Sequence, residues 1–233
     1  MDNESGIHQA GRYALQAGCG NPDDEASLRK SWVQNEDTDA REILAERGFP
    51  HLNAFLKAIA EAQGAKDPYS PEIVRAYWLG PKDNTYIMSK DLAKHYVQTM
   101  SPEFGQAIEA QLPERIVPIH LTMVALIASP EITDRNLRLA GINHCMISSA
   151  RITEMQEDGK GVTVERDTLV DNEAGGFTVQ RRHADVRIDR DLTPDVNIGD
   201  PVALHQGTVA EILTQEEADR LSYWTREVAK TLK

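Results

Sequence analysis

Residues 199–212 read Gly-Asp-Pro-Val-Ala-Leu-His-Gln-Gly-Thr-Val-Ala-Glu-Ile, and this stretch decides the fold of the C-terminal part of the chain. Its Gly-Asp pair opens a short apolar strand over Asp200–Leu204, and His205 stands at the end of that strand. Further β-type runs precede it, several of them alternating: Met146–Met155, Gly161–Glu165, Gly176–Gln180 and Ala184–Ile188. Four or five short strands within about 65 residues predict a small β-barrel rather than a parallel sheet.

A helix is predicted directly after these strands. Thr214 and Glu217 have the spacing of a capping box, in which each side chain satisfies a backbone N–H group of the other residue. Leu213 and Ala218 are placed as the apolar staple that accompanies such a box. One face of the following helix is apolar: Ala218, Leu221, Trp224, Val228 and Leu232. This face is expected to be buried.

The sequence before residue 140 has a different character, with helical spacing broken by Pro and Gly. The predicted helices are Ile7–Gly18, Asp39–Arg47, His51–Gln63, the segment from Pro71 to Leu79, and Leu92–Met100. Val117–Ile127 is almost wholly apolar and predicts a buried helix or strand. The fold class is therefore α+β, with a helical domain over residues 1–140 and a small barrel with a C-terminal helix over residues 141–233.

Composition excludes several classes of function. The chain of 233 residues carries 25 Lys and Arg against 37 Asp and Glu, a net charge of -12. Binding to nucleic acid or to an anionic membrane is not expected, because a phosphate-tracking surface needs a basic stripe. No apolar run approaches the roughly 18 residues that span a bilayer. The polar start, Met1–Ser5, does not resemble a signal peptide, so we expect a cytoplasmic protein whose two cysteines are free thiols.

Cys145 and His205 are the first candidates for chemistry. Cys145 lies where the helical part gives way to the first strand, and the neighbouring His144 could lower the pKa of the thiol. The alternative is a buried cysteine that packs as a small apolar residue. His205 ends its strand, where a side chain can leave the core, and the alternative is a structural histidine at the edge of the core.

His120 and Cys19 are the second pair of candidates. His120 lies inside the apolar run, where a polar ring needs a partner, and it could serve as a ligand or as a structural hydrogen-bond donor. Cys19 lies between Gly18 and Gly20, so its backbone can approach a ligand closely, although a loop cysteine without a role is an equal alternative. The common phosphate-loop, dinucleotide, nucleophile-elbow and Cys-x-x-Cys signatures are absent from the sequence.

Two motifs of the C-terminal part resemble the HypC/HupF family of hydrogenase maturation chaperones. The first is Cys145-Met146-Ile147-Ser148-Ser149-Ala150-Arg151-Ile152, which is similar to the cysteine-led opening of that family. The second is the run from Gly199 to Ala210, which is similar to its Gly-Asp-x-Val-(apolar)-(apolar)-His-x-Gly-x-Ala motif. Order, spacing and the closing helix all agree. The resemblance implies a HypC-like, OB-like barrel.

The whole chain also resembles an uncharacterised family that is associated with nickel–iron hydrogenases. The resemblance rests on five short segments: Arg12-Tyr13-Ala14, Gly18-Cys19-Gly20, Asp67-Pro68-Tyr69, Ala76-Tyr77-Trp78-Leu79-Gly80 and His120. It covers nearly all of the chain, and it implies no established activity.

The HypC resemblance implies a function in nickel–iron hydrogenase maturation. In that family the cysteine helps to hold an iron that carries cyanide and carbon monoxide, and the motif histidine is implicated in the same site. Carried over to this chain, the metal ligands are Cys145 and His205, the cofactor is iron or an iron–cyanide–carbonyl unit, and the partner is the hydrogenase large subunit or another maturation protein. A thiolate suits iron with such ligands.

Two other functions remain open from the sequence. The barrel could be a metal-free interaction module that recognises a hydrogenase or a maturation partner. Alternatively, Cys145 could be the nucleophile of an enzyme that acts on a small carbonyl or carbamoyl substrate, with His205 or His144 as its base. We further expect Cys19, His120, Cys145 and His205 to converge on one pocket between the two domains, since a shared polar site would satisfy all four.

Overall fold

A computed structural model describes residues 5–17, 22–34, 37–157, 159–172, 174–193 and 195–232. The chain divides into two compact units, Met1–Ile119 (the helical unit) and His120–Lys233 (the barrel unit). The sequence analysis places this division later, after residue 140. The segment between the two positions is helical in character, but its helices contact elements of the barrel unit, and contacts rather than helical spacing decide where a segment belongs.

Helices dominate the first unit among its described residues. They are α1 (Gly6–Ala17), α2 (Pro22–Gln34), α3 (Asp37–Glu42), α4 (Pro50–Gln63), α5 (Pro71–Leu79), α6 (Ser89–Thr99) and α7 (Pro102–Gln111), with a π-helical segment over Ile43–Gly48. Strands β1 (Ile87–Met88) and β2 (Arg115–Ile116) form an antiparallel pair.

Proline and glycine set several of these helix ends. Pro50, Pro71 and Pro102 each lie in the first turn of a helix, where the missing N–H group would have had no partner within the helix. Gly64 ends α4 with a φ of 66°, a left-handed conformation that favours glycine. The predicted end of this helix is therefore confirmed. Helices α2 and α7 were not predicted, because α2 is mostly polar and α7 contains few apolar residues and an internal glycine, Gly105.

Stacked aromatic side chains hold the helical unit together. The rings of Tyr13 and Trp78 are parallel, with centroids 4.6 Å apart, and join α1 to α5. Tyr77 contacts Phe55 of α4 at 5.4 Å. All four side chains are buried, and such pairs add about 0.5–1.5 kcal/mol beyond the area that they bury. Tyr77 and Trp78 thus belong to the core of this unit.

The barrel unit contains both helices and strands. Its elements are α8 (His120–Met123), a π-helical segment (Val124–Ala128), α9 (Arg135–Cys145), β3 (Ser148–Met155), β4 (Gly161–Asp171), β5 (Phe177–Ile188), β6 (Pro201–His205), β7 (Thr208–Ile212) and α10 (Gln215–Ala229). The fold is therefore mixed helix and sheet.

The five strands β3 to β7 close into a barrel in the order β3-β4-β5-β7-β6. All neighbouring strands are antiparallel except β5 and β7, which are parallel. Alternating apolar side chains fill the interior: Ala150, Ile152, Val162, Val164, Val186, Ile188, Val196, Val202, Leu204 and Val209. The two predicted strands Gly176–Gln180 and Ala184–Ile188 are parts of the single strand β5. Strand β7 was not predicted.

Helix α10 follows the prediction closely. Thr214 accepts a hydrogen bond from the N–H of Glu217, and the Glu217 carboxylate accepts one from the N–H of Thr214, so the capping box is confirmed. The predicted apolar face is buried along its whole length, from Ala218 to Leu232. Because α10 packs against β3, β5 and β6, it covers one side of the barrel wall.

Asn143 fixes the C-terminal turn of α9 to β4. Its side-chain amide donates to the carbonyl of Leu169 at 2.9 Å and accepts from the N–H of Leu169 at 2.8 Å. Arg166 donates to the backbone carbonyl of Asn143 at 2.7 Å. The amide thus pairs with the edge of β4 as a neighbouring strand would, and α9 ends in a fixed position.

A buried carboxylate joins β4, β5 and α10. The Asp167 side chain is 0% exposed and lies 3.0 Å from Nε of Arg181, whose side chain is 38% exposed. Ser222 of α10 donates a hydrogen bond to the second carboxylate oxygen. A carboxylate this deeply buried is stable only when it is paired, so Arg181 is part of the fold.

We predict that Arg181→Met lowers the free energy of unfolding by about 3 kcal/mol, because it leaves the Asp167 carboxylate buried without its cation. Urea denaturation with tryptophan fluorescence would measure the change. Arg182→Met is the matched control, since the neighbouring Arg182 is exposed, and it should shift stability by less than about 0.5 kcal/mol. Equal losses in the two variants would contradict the assignment.

Candidate functional site

Two of the histidines singled out by the sequence lie in contact in the barrel unit. His120 is the first residue of α8, and His205 is the last residue of β6. Their ring centroids are 5.0 Å apart and the rings are nearly perpendicular, at 79°. Both side chains are buried, with 4% and 1% of their surface exposed. We call these two residues the histidine pair.

Burial keeps His120 neutral. Removal of the ring from water, reinforced by the proximity of the His205 ring, holds the pKa of His120 well below its ordinary value of 6.5. Two cationic rings cannot share so small a buried volume, because like charges and desolvation both disfavour them. A neutral imidazole retains a nitrogen lone pair, and this is the form in which histidine binds metal ions.

Cys145 is the last residue of α9 and is half-buried. Burial raises the pKa of its thiol above the ordinary value. The C-terminal end of a helix also carries partial negative charge, which disfavours a thiolate. His144, beside it in sequence, is exposed. The surroundings of Cys145 therefore do not provide the lowered pKa that an activated cysteine nucleophile requires.

The pairing of β3 with β6 brings the sequence neighbourhoods of Cys145 and His205 together. Ser148 lies directly opposite Leu204 in the register of these antiparallel strands. Cys145 precedes Ser148 by three residues, and His205 directly follows Leu204. Both candidate residues therefore flank the same end of one strand pair, although they are 60 positions apart in sequence.

Two buried serines lie on β3 beside this strand end. Ser148 and Ser149 are both 0% exposed, and neither hydroxyl has a hydrogen-bond partner among the described residues. Ser149 is opposite Ala203, two residues before His205, so Ser149 and His205 share one face of the barrel wall. Neither serine was predicted from the sequence, because nothing in the local pattern distinguishes a serine that faces the core from one that faces solvent.

The four predicted site residues thus have different outcomes. His120 and His205 are in contact, and Cys145 lies near the end of the strand pair that carries His205. Cys19 lies outside the described residues. Within the described part of the chain, no group of three or more His, Cys, Asp or Glu side chains is arranged to hold a metal ion. The structure thus brings two of the four residues into contact.

Comparison with known proteins identifies the family. The model of a family of unknown function, DUF6390, matches residues 2–233, and the chain belongs to that family. No curated protein and no solved structure is significantly similar to the chain. In the described ranges, every helix is too short or too polar to cross a membrane.

We predict that acidification destabilises the barrel unit through His120. The unfolded chain takes up a proton on this ring near pH 6.5, whereas the folded chain does so only at a lower pH. The stabilisation is therefore fully present above pH 6.5 and is lost as the pH falls towards the lower folded-state pKa. The urea midpoint should decrease between about pH 7 and pH 5.

His120→Gln should flatten this pH dependence, because glutamine fills a similar space and does not titrate. His183→Gln serves as the control, since His183 is exposed, and it should keep the slope of the natural protein. The same slope in His120→Gln as in the natural protein would show that His120 is not the responsible group.

Proposed function

We propose that this protein is an accessory factor for nickel–iron hydrogenase maturation. It would bind iron, or an iron–cyanide–carbonyl unit, as cargo and pass it to the hydrogenase large subunit or to another maturation protein. The observation that carries this proposal is the contact between His120 and His205, since His205 belongs to the motif from Gly199 to Ala210 that resembles the HypC family.

The chemistry of the three side chains supports iron as the cargo. Neutral imidazoles and a thiolate are ligands that iron accepts, and a thiolate is suited to iron with cyanide and carbonyl ligands. Burial raises the pKa of the Cys145 thiol, so iron binding would displace a proton from sulfur. A thiol that is protonated in the absence of iron would release its cargo more readily than a permanent thiolate.

The architecture of the barrel unit also supports the proposal. A small closed barrel of five strands followed by a capped helix fits the HypC-like, OB-like fold that the sequence motifs imply. The cysteine of the first motif lies three residues before the start of the first barrel strand, and the histidine of the second motif ends the fourth. In this reading the barrel presents Cys145 and His205 at one end of the β3–β6 pair.

The test is to purify the protein without oxygen from cells that produce the hydrogenase. We expect bound iron by elemental analysis, with cyanide and carbonyl stretching bands in the infrared spectrum. Cys145→Ser and His205→Gln should each reduce the iron content, by roughly tenfold or more. His183→Gln, an exposed histidine, is the control and should leave the iron content unchanged. Absence of iron and of both bands from the natural protein would refute the proposal.

A metal-free interaction module is the second candidate. It is favoured by the surroundings of Cys145, because burial raises the pKa of its thiol and so favours the neutral form that packs as a small apolar residue. In this reading the barrel recognises a hydrogenase subunit or a maturation protein, and Cys145 is structural. Affinity purification with the natural protein and with Cys145→Ala would distinguish the two functions. Equal recovery of the partner and intact hydrogenase maturation in the variant would favour the module.

A further inference from the structure

We propose that the open edge of β5 binds an extended, acidic segment of a partner protein, which adds to the barrel as a further strand. This inference concerns the part of β5 that β7 does not pair with, and it does not depend on iron binding. It rests on the pairing of β5, on the direction of its backbone groups and on its charge.

Strand β5 is paired along the whole of one edge but along only a short part of the other. It pairs with β4 over its whole length, from Gly161 opposite Arg187 to Asp171 opposite Phe177. On its other edge β7 pairs only with Arg187 and Ile188. Between Phe177 and Val186, no strand in the described part of the chain pairs with this second edge. The barrel is thus closed at one end of β5, and the rest of that strand has no strand neighbour on this edge. Helix α10 packs on the face of β5 that carries Arg181.

The backbone groups that face this edge follow from the register. Ile188 donates its N–H to Lys160, on the β4 side, at 3.0 Å, whereas Arg187 donates to Gly207, on the β7 side, at 2.9 Å. Successive residues of a strand alternate in this respect, and the β4–β5 register has no shift. The N–H and C=O groups of Arg181, His183 and Asp185 therefore point away from β4, where an added strand would pair with them.

The charge of β5 indicates that the added segment is acidic. The strand contains three arginines and one aspartate, although the whole chain has a net charge of -12. Arg181 is neutralised by the buried Asp167. Arg182 is exposed, and it lies directly opposite Arg166 on β4. Like charges at opposed positions are unfavourable, and an acidic side chain from an added strand would relieve their repulsion.

Two other occupants fit this surface less well. A second copy of the chain that paired edge to edge would bring the two exposed Arg182 side chains close together, and like charges facing each other oppose this. Single-stranded nucleic acid binds on aromatic stacking platforms, but the exposed tyrosines of the described chain, Tyr86 and Tyr223, lie outside β4 and β5. The edge charges also protect the isolated protein from aggregation.

The test uses fluorescence anisotropy on the metal-free protein with two labelled peptides of ten residues. One alternates Glu with Thr, and the other alternates Lys with Thr. We expect the acidic peptide to bind and the basic one not to bind, with an affinity that decreases as salt is added. Arg182→Glu should weaken binding roughly tenfold, because it places an acidic side chain opposite the acidic peptide. Arg226→Glu, the same charge change at an exposed residue of α10, should have little effect.

The backbone is tested at His183. His183→Pro removes only an N–H that faces the open edge, so pairing with β4 is retained, as it is for proline on natural edge strands. His183→Ala keeps that N–H and should bind the acidic peptide like the natural protein, whereas His183→Pro should not bind it. Circular dichroism would establish whether the proline variant is folded. If it is unfolded, peptide binding by Arg182→Glu tests the proposal instead.

Several results would overturn the proposal. The proposal is wrong if the acidic peptide does not bind or if both peptides bind equally. It is also wrong if a folded His183→Pro variant or the Arg182→Glu variant binds the acidic peptide as the natural protein does. Binding of a labelled oligothymidylate in place of the peptide would assign the surface to nucleic acid instead. Dimerisation in analytical ultracentrifugation that is lost in His183→Pro would assign it to a second copy. None of these outcomes changes the iron content, so this proposal and the proposed function fail separately.

Discussion

The pairing of β3 with β6 is the constraint on which the barrel unit depends. It joins residues 148–151 to residues 201–204 and closes a ring of five strands, so that their alternating side chains enclose one apolar interior. The two strands are about 50 residues apart in sequence, so this closing contact is a long-range one. The entropy lost in closing the loop is offset only once the core is buried. The same contact brings the end of α9 and the end of β6 to one region of the wall.

Much of the architecture follows from local patterns in the sequence. Period-two alternation indicates the strands because each barrel strand has one face in the apolar interior. The capping box at Thr214 and the glycine at residue 64 mark helix ends by local hydrogen bonding and by local backbone conformation. Such signals act over three or four residues and need no knowledge of the rest of the fold. They therefore suffice to predict a helical part, a small barrel and a closing helix.

Long-range features are not encoded in this local way. The contact between His120 and His205 joins residues 85 positions apart, and sequence reasoning could name both residues but could not measure their separation. The roles of Asp167 and Arg181 went unnoticed, because a charged residue in an alternating strand ordinarily faces solvent. Helix α9 was missed because it has no strong apolar face: Ile142 is its one buried residue, and hydrogen bonds from Asn143 hold its end to β4.

The hydrogen bonds of Asn143 also restrict the backbone of Cys145, two residues later. The Asn143 amide is held by both backbone groups of Leu169, and its carbonyl is held by Arg166, so the last turn of α9 has little freedom left. Ordering the backbone of one residue costs about 1–2 kcal/mol in conformational entropy. At Cys145 this cost belongs to folding and not to a later binding step. The backbone that carries the thiol is therefore already ordered, and a ligand or protein that bound there would immobilise no loop.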